Sequence, residues 1–358
     1  MAEPIDLNQL AAARSGDQEA FQQLTEPYRR ELMVHCYRLL GSLDDAEDLV
    51  QETFLRAWRG LDTFVRPLYF RAWLYKIATN TCLNELARRA PRLLPNRVSP
   101  ASDPATPLAP PSLEPIWLQP YPDTWLPETT LDPEARYAVQ EKISLAFALA
   151  LQLLPARQRA VLILCDVLDW SANETAELLE MTVSAVNSAL HRARATLAEN
   201  RPAEDDTTGR PLPGGVPASE VLGSYVQALQ NADVAGLVAL LKDAAIFTMP
   251  PIPTWFQGST VIGAFLAQAL FAGDAAGRWR LLPAGANLQP AFSLYARDDM
   301  AGVYRPYAIQ VLAIDGVAGR IAEIVSFADS SLFARFGLPL ELAAGLSPGW
   351  PRTPWQQP

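Results

Sequence analysis

Apolar residues recur at helical spacing through the first 92 positions, and no hairpin signal interrupts them. Phe21, Leu24, Tyr28, Leu32, Cys36 and Leu39 form a first long stripe. Ala46, Leu49, Val50, Thr53, Phe54, Ala57 and Trp58 form a second. They predict a helix that buries one side and turns Asp45, Asp48, Gln51, Glu52 and Arg56 outward. After a turn-like stretch at residues 60–70, Phe70, Leu74, Ile77 and Ala78 mark a third helix, with Trp73, Asn80, Asn84 and Arg88 on another face. Arg66, Arg71, Lys76, Arg88, Arg89 and Arg92 make this segment locally basic.

The pattern changes at residue 93. Prolines from Pro95 to Pro133 exclude a long helix. Ile116, Trp117, Leu118, Tyr121, Trp125 and Leu126 make the stretch too apolar for a solvated tether, so it is expected to lie along another surface of the protein. Helical spacing resumes at residue 136. Pro155 suits the first turn of a helix running through Cys165. Residues 169–199 then predict two short helices joined by a tight turn. Ser171 caps the first while Glu174 reaches back, and Thr182 caps the second. Ala172, Thr175, Ala176 and Leu179 give the inner side of one; Val183, Val186, Leu190 and Leu197 give that of the other. The outer side of the second helix carries Ser184, Ala185, Asn187, Ser188, His191, Arg192 and Arg194. Small side chains at the N-terminal end and cations further along are what a helix needs to approach base edges and meet phosphates. Two amphipathic helices with a short connector also occur in all-α domains that never touch DNA, and this window alone leaves both readings open.

A second linker, residues 202–217, is rich in Gly, Pro and Asp. From Ser219 the chain reads helix, helix, strand, with Asp233 capping the second helix; residues 258–271 read as another helix. Alternating runs follow at 278–290, 291–298, 302–316 and 320–329, with Asp315-Gly316 as a hairpin turn. Helices followed by an antiparallel meander predict an α+β cone with a pocket inside the curled sheet.

Four blocks, in this order, carry a resemblance: Asp45-Ala46-Glu47-Asp48-Leu49-Val50-Gln51-Glu52, Phe70 through Asn80, Leu154-Pro155-Ala156-Arg157-Gln158-Arg159, and His191-Arg192-Ala193-Arg194 closing the helix–turn–helix. With them the chain resembles a bacterial RNA polymerase sigma factor of the extracytoplasmic-function (ECF) type, in the subgroup that carries a C-terminal SnoaL-like domain. The resemblance implies a multidomain fold: two all-α sigma modules, a region 2 bundle at 1–92 and a region 4 helix–turn–helix at 136–201, plus an α+β SnoaL/NTF2-like cone at 218–340. The linkers fall at 93–135 and 202–217, and a tail at 341–358. It also implies that Asp45, Asp48, Gln51 and Glu52 dock on core RNA polymerase. Arg66, Lys76, Asn80, Asn84 and Arg88 would open promoter DNA near its minus-ten element, together with Asp62, Thr63 and Phe64; Trp73 is expected to pack. Ser184, Asn187, Ser188, His191, Arg192 and Arg194 would read the minus-thirty-five element. The turn holds Glu180 where the family often has glycine, an acidic side chain that would be unhelpful facing phosphates.

Composition narrows the alternatives. A net charge of −10 argues against indiscriminate nucleic-acid binding, because a stand-alone DNA binder is usually basic on one face. A large partner that supplies most of the DNA grip removes the conflict. Cys36, Cys82 and Cys165 are scattered and form no CxxC or Cys/His group, so no metal site is expected. No apolar run approaches a membrane span and the first residues do not resemble a signal peptide, which places the chain in the cytoplasm without membrane contact. In the tail domain, Tyr295, Tyr304 and Tyr307 could donate and Asp298, Asp299 and Asp329 could accept, yet nothing in their spacing converges. No catalytic residue and no cofactor are expected. Trp255, Phe256, Asn287, Gln289, Tyr295 and Phe327 are candidates for a pocket or an interface, holding a small molecule or another segment of the chain. The rival readings are a helix–turn–helix regulator that works without polymerase and an enzyme on the SnoaL-like fold.

Overall fold

The computed structural model describes residues 6–64, 69–112, 117–127, 142–200, 218–273, 275–316 and 318–343. They divide into two compact units. One comprises the described parts of 1–92, 125–130 and 146–201, and the other those of 93–124, 131–145 and 202–358.

The first unit is all helix. Asp6 and Asp17 cap α1 (Leu7–Arg14) and α2 (Gln18–Thr25) by accepting backbone N–H bonds. The first apolar stripe does not run as one helix. Pro27 lies in a 3-10 turn at Glu26–Tyr28, after which α3 (Arg29–Leu40) begins. Proline has no N–H to give the helical ladder, so the stripe continues while the helix does not. Gly41 takes φ of 70° to end α3, and Ser42 caps α4 (Leu43–Gly60). α5 (Phe70–Leu86) closes the bundle. Ala46, Val50, Thr53, Phe54 and Ala57 are buried on α4 as the pattern predicts. His35 lies between α3 and α5, sharing a 2.8 Å hydrogen bond with Thr79. Burial, with Arg38 and Arg71 nearby, pushes its imidazole down to about 3, so it is neutral.

The helix–turn–helix module belongs to the same unit. α6 (Leu145–Gln152) leads to α7 (Ala156–Leu162), with Pro155 at its start, and a π-turn at Ile163–Val167 carries the helix on past Cys165. α8 (Ala172–Leu179) opens on the expected capping box of Ser171 and Glu174. α9 (Val183–Asn200) starts after Thr182, whose Oγ1 accepts from the Ala185 N–H at 3.1 Å. Its buried line is Val186, Ala189 and Ala193; Val183, expected inside, is 40% exposed because it occupies the first turn ahead of that line.

The second unit holds α10 (Ala218–Gln230), α11 (Val234–Leu240), capped by Asp233, and α12 (Ser259–Ala269) over one curved sheet; a short α13 (Leu332–Arg335) follows the last long strand. The strands are β1 (Leu241–Met249), β2 (Ile252–Gln257), β3 (Trp279–Ala286), β4 (Gln289–Asp298), β5 (Val303–Asp315), β6 (Arg320–Phe327) and β7 (Leu342–Ala343). Their order is β2-β1-β6-β5-β4-β3, with β7 against β5. Three features depart from the sequence expectation. β2 was not expected. Residues 278–290 hold β3, a turn at Asn287 and Leu288, which both have positive φ, and the start of β4. The sheet is mixed rather than a plain meander, since β1 pairs in parallel with β6. Parallel neighbours require a long crossover, and local alternation carries no trace of it. Phe247, Phe256 and Phe292 of the sheet join Phe265 of α12 in one apolar cluster with the helices.

Candidate nucleic-acid and polymerase interfaces

The capped start of α9 leaves Ser184, Asn187, Ser188, His191 and Arg192 exposed on one side, opposite the buried Val186–Ala189–Ala193 line. Asn187, Ser188, His191 and Arg192 line an open concavity together. Ser184, Asn187, Ser188 and His191 are hydrogen-bonding groups, suited to base edges, and Arg192 supplies a cation. Arg194 stands apart. Its guanidinium donates two bonds to the Asp166 carboxylate, at 2.7 and 2.9 Å, within the same module. Asp166 gave no sequence signal, because the pair joins residues 28 apart on different helices.

In the bundle, the acidic face of α4 is not uniform. Asp48 and Gln51 are exposed, and Glu52 is half-buried beside Arg56 at 2.6 Å. Asp45 belongs elsewhere. Arg89 and Arg92 grip its carboxylate at 2.7 and 2.6 Å, tying α4 to the chain beyond α5. Burial alone would raise its pKa, but Arg92 and Arg89 hold the carboxyl below its ordinary range. Asp45 thus differs from Asp48 and Gln51 on the same helix: its carboxylate is paired within the unit.

On α5, Asn84 and Arg88 are exposed and Asn80 is half-buried. Lys76 reaches Glu180 at 3.1 Å. Trp73 stacks on Phe64 with ring centroids 4.7 Å apart, and Phe64 is buried, so these two rings pack on each other. Asp62 and Thr63 are exposed beside them, and Arg66 lies outside the described residues.

The six candidates of the C-terminal domain separate into two groups. Phe256 stacks on Phe265 at 4.3 Å in the core. Phe327 is buried, and Tyr295 packs edge-on to Phe333 and donates to the Pro339 carbonyl at 2.9 Å. Trp255 and Asn287 instead hold the linker, and Asn287 and Gln289 hold residues 143–145, which lead into α6. The Trp255 indole donates to the Ser99 carbonyl at 2.8 Å. Asn287 accepts from the Tyr121 N–H and donates from its amide to the Ile143 carbonyl, both at 2.8 Å, while its own N–H bonds Tyr121 O at 2.9 Å. Gln289 accepts from the Leu145 N–H at 2.7 Å. Leu118 and Tyr121 are fully buried, so the linker packs as its apolar residues predict. Asp123 accepts from the Leu288 N–H at 2.8 Å, and burial pushes its carboxyl up to about 7. Nothing local marks this role in the sequence, because Leu288 lies 165 positions away. Among the described residues, no group of His, Cys, Asp or Glu could hold a metal, and no helix is long and apolar enough to cross a membrane.

A helical bundle followed by a helix–turn–helix with a polar, cationic outer side is the arrangement of the sigma-70 class. The family model for Sigma-70 region 2 matches residues 24–92, and that for Sigma-70, region 4 matches residues 144–197. The chain is 42% identical over 330 residues to the ECF RNA polymerase sigma factor SigG of Mycobacterium tuberculosis, covering 92% of this chain and 86% of that one. It is 30% identical over 185 residues to the ECF RNA polymerase sigma factor SigW of Bacillus subtilis, covering 51% and 90%. The crystal structure of the Mycobacterium tuberculosis extracytoplasmic function sigma factor SigJ superposes with a TM-score of 0.53 at 25% identity, covering 87% and 97%. The chain belongs to the ECF RNA polymerase sigma factors.

Proposed function

We propose that this chain binds core RNA polymerase, reads the minus-ten and minus-thirty-five elements of a promoter and directs initiation there, without making or breaking a covalent bond. It would act in the cytoplasm, with the chromosome. The observation that carries this reading is the outer side of α9, where Asn187, Ser188, His191 and Arg192 stand together on a helix capped at its start. Asp48, Gln51 and Glu52 supply the polymerase-facing surface, where charge complementarity sets register and association rate. Asn80, Asn84 and Arg88 supply the strand-opening surface. The acidic total charge fits a subunit that leaves most of the DNA grip to its partner.

The C-terminal domain modulates that activity by holding the linker through Trp255 and Asn287 and the start of α6 through Gln289. Run-off transcription with purified core enzyme tests the scheme. Asp48→Arg should weaken core binding about ten-fold or more, a loss of about 1.4 kcal/mol, with the fold intact by circular dichroism. Unchanged core binding by Asp48→Arg would remove α4 from the polymerase interface. Asn287→Ala should change transcription by the full chain while leaving its helical modules folded.

A further inference from the structure

The two arginines of α9 have different surroundings. Arg192 stands in solvent with Asn187, Ser188 and His191. Arg194 comes seven residues after Asn187, close to two full turns, which returns it to within about 20° of the Asn187 line and about 10 Å further along the helix. On the helix alone it would extend the outer side toward a flanking phosphate. Its guanidinium instead meets the Asp166 carboxylate side-on, Nε donating at 2.9 Å to one oxygen and Nη2 at 2.7 Å to the other. Two parallel charge-assisted bonds fix the guanidinium in direction as well as in place.

Backbone geometry brings Asp166 there. The segment after α7 widens into the π-turn Ile163–Val167, where the Leu168 N–H bonds the Ile163 carbonyl at 3.0 Å. Ile163 and Leu164 stay buried, Cys165 meets the Thr175 hydroxyl of α8 at 3.4 Å, and Asp166 reaches α9. The Arg194 side chain is 60% exposed and that of Asp166 30%, so the pair lies within reach of water and contributes little to stability. Its consequence is electrostatic. Opposite charges this close, far inside a Debye length of about 8 Å, present an approaching duplex with almost no net charge.

That neutralisation matters because phosphate contacts carry no sequence information. A cation that reaches a phosphate strengthens the hold on every sequence alike, and steepens the fall of log affinity with log salt by about 0.9. A freed Arg194 would therefore improve the grip on bulk DNA without improving the choice of promoter. We propose that Asp166 is a positioning residue that withholds the Arg194 guanidinium from DNA, so that the helix–turn–helix adds little sequence-independent grip and the free chain stays available to core polymerase. The proposal deepens the promoter reading above and rests on it. It also agrees with the net charge of −10, which disfavours binding to bulk DNA by the chain alone.

The test is a salt series on non-promoter duplex DNA with the full chain, read by fluorescence anisotropy, and on a promoter fragment with the chain assembled on core polymerase. Asp166→Asn releases Arg194. It should bind the non-promoter duplex about ten-fold tighter at about 50 mM salt, with the slope of log affinity against log salt steeper by about 0.9 in both series. Asp166→Asn combined with Arg194→Gln leaves a neutral pair and should return to the wild-type slope. A pair that only staples α9 to the π-turn would lower the melting temperature of Asp166→Asn and leave its slope unchanged, and that result overturns the proposal. A double variant with a slope shallower than wild type overturns it too, because Arg194 would then already lie on phosphate in the native chain. The double variant decides the matter even where Asp166→Asn alone unfolds. A wild-type polymerase complex that binds the promoter no better than a fragment with a scrambled minus-thirty-five element would instead overturn the promoter reading, while the slopes on non-promoter DNA still decide what Asp166 does.

Discussion

Charged residues in this chain do opposite things according to what surrounds them. Asp45 and Asp48 are three positions apart on one helix, yet Asp45 is clamped by two arginines while Asp48 stands in solvent. Asp45→Asn should therefore cost the bundle about 1–3 kcal/mol, the scale of a charge-assisted bond with its partners left behind. Because the folded pKa is depressed, that stabilisation is present above the unfolded value of about 3.9 and is lost as pH falls through the folded value. Acid melts of wild type and Asp45→Asn should converge at low pH, and parallel curves would show that Asp45 is not the group responsible. Asp123 has the reverse sign. Its carboxyl is raised to about 7, so its contribution to linker docking is complete below about pH 4 and is lost as pH rises through 7. Asp123→Asn should flatten the pH dependence of the C-terminal domain's melting between pH 5 and 8; retention of the wild-type slope would locate the titration elsewhere.

At the scale of elements, close approach decides which helices and strands can meet. A Cβ on Gly263 of α12 would lie 2.5 Å from a methyl of Val238 on α11. Gly263→Ala should cost about 1–3 kcal/mol by overpacking, seen as a lower melting temperature of the C-terminal domain without loss of helix content. Gly285 on β3 plays the same part toward the linker, since a Cβ there would fall 2.3 Å from the Asp123 carboxylate. Turn chemistry and caps were legible at this scale. Ser171 with Glu174, Thr182 and Asp233 cap as their side chains dictate, because a cap is satisfied within three or four residues. The break at Pro27 is legible too, because proline has no N–H for the helical ladder.

At the scale of the molecule, the acidic total and the cationic outer side of α9 are reconciled by division of labour. Arg192 faces outward, while Arg194 is paired with Asp166. Arg192→Ala should lower the slope of log affinity against log salt by about 1, measured by promoter binding of the polymerase complex across a salt series. An unchanged slope would take Arg192 off the phosphates. The described residues of 93–124 group with the C-terminal domain.

The amino-acid order by itself determined the helices, their caps and the polar outer side of α9, because spacing and capping act over a few residues. Tertiary structure alone decided the rest: Asp45 as a clamped anion, β1 beside β6, and Asn287 as the anchor of the linker. Each of these joins groups 40 to 170 positions apart in the chain, roughly, and no local pattern encodes such a meeting. It exists only once burial has removed the alternatives that water offered.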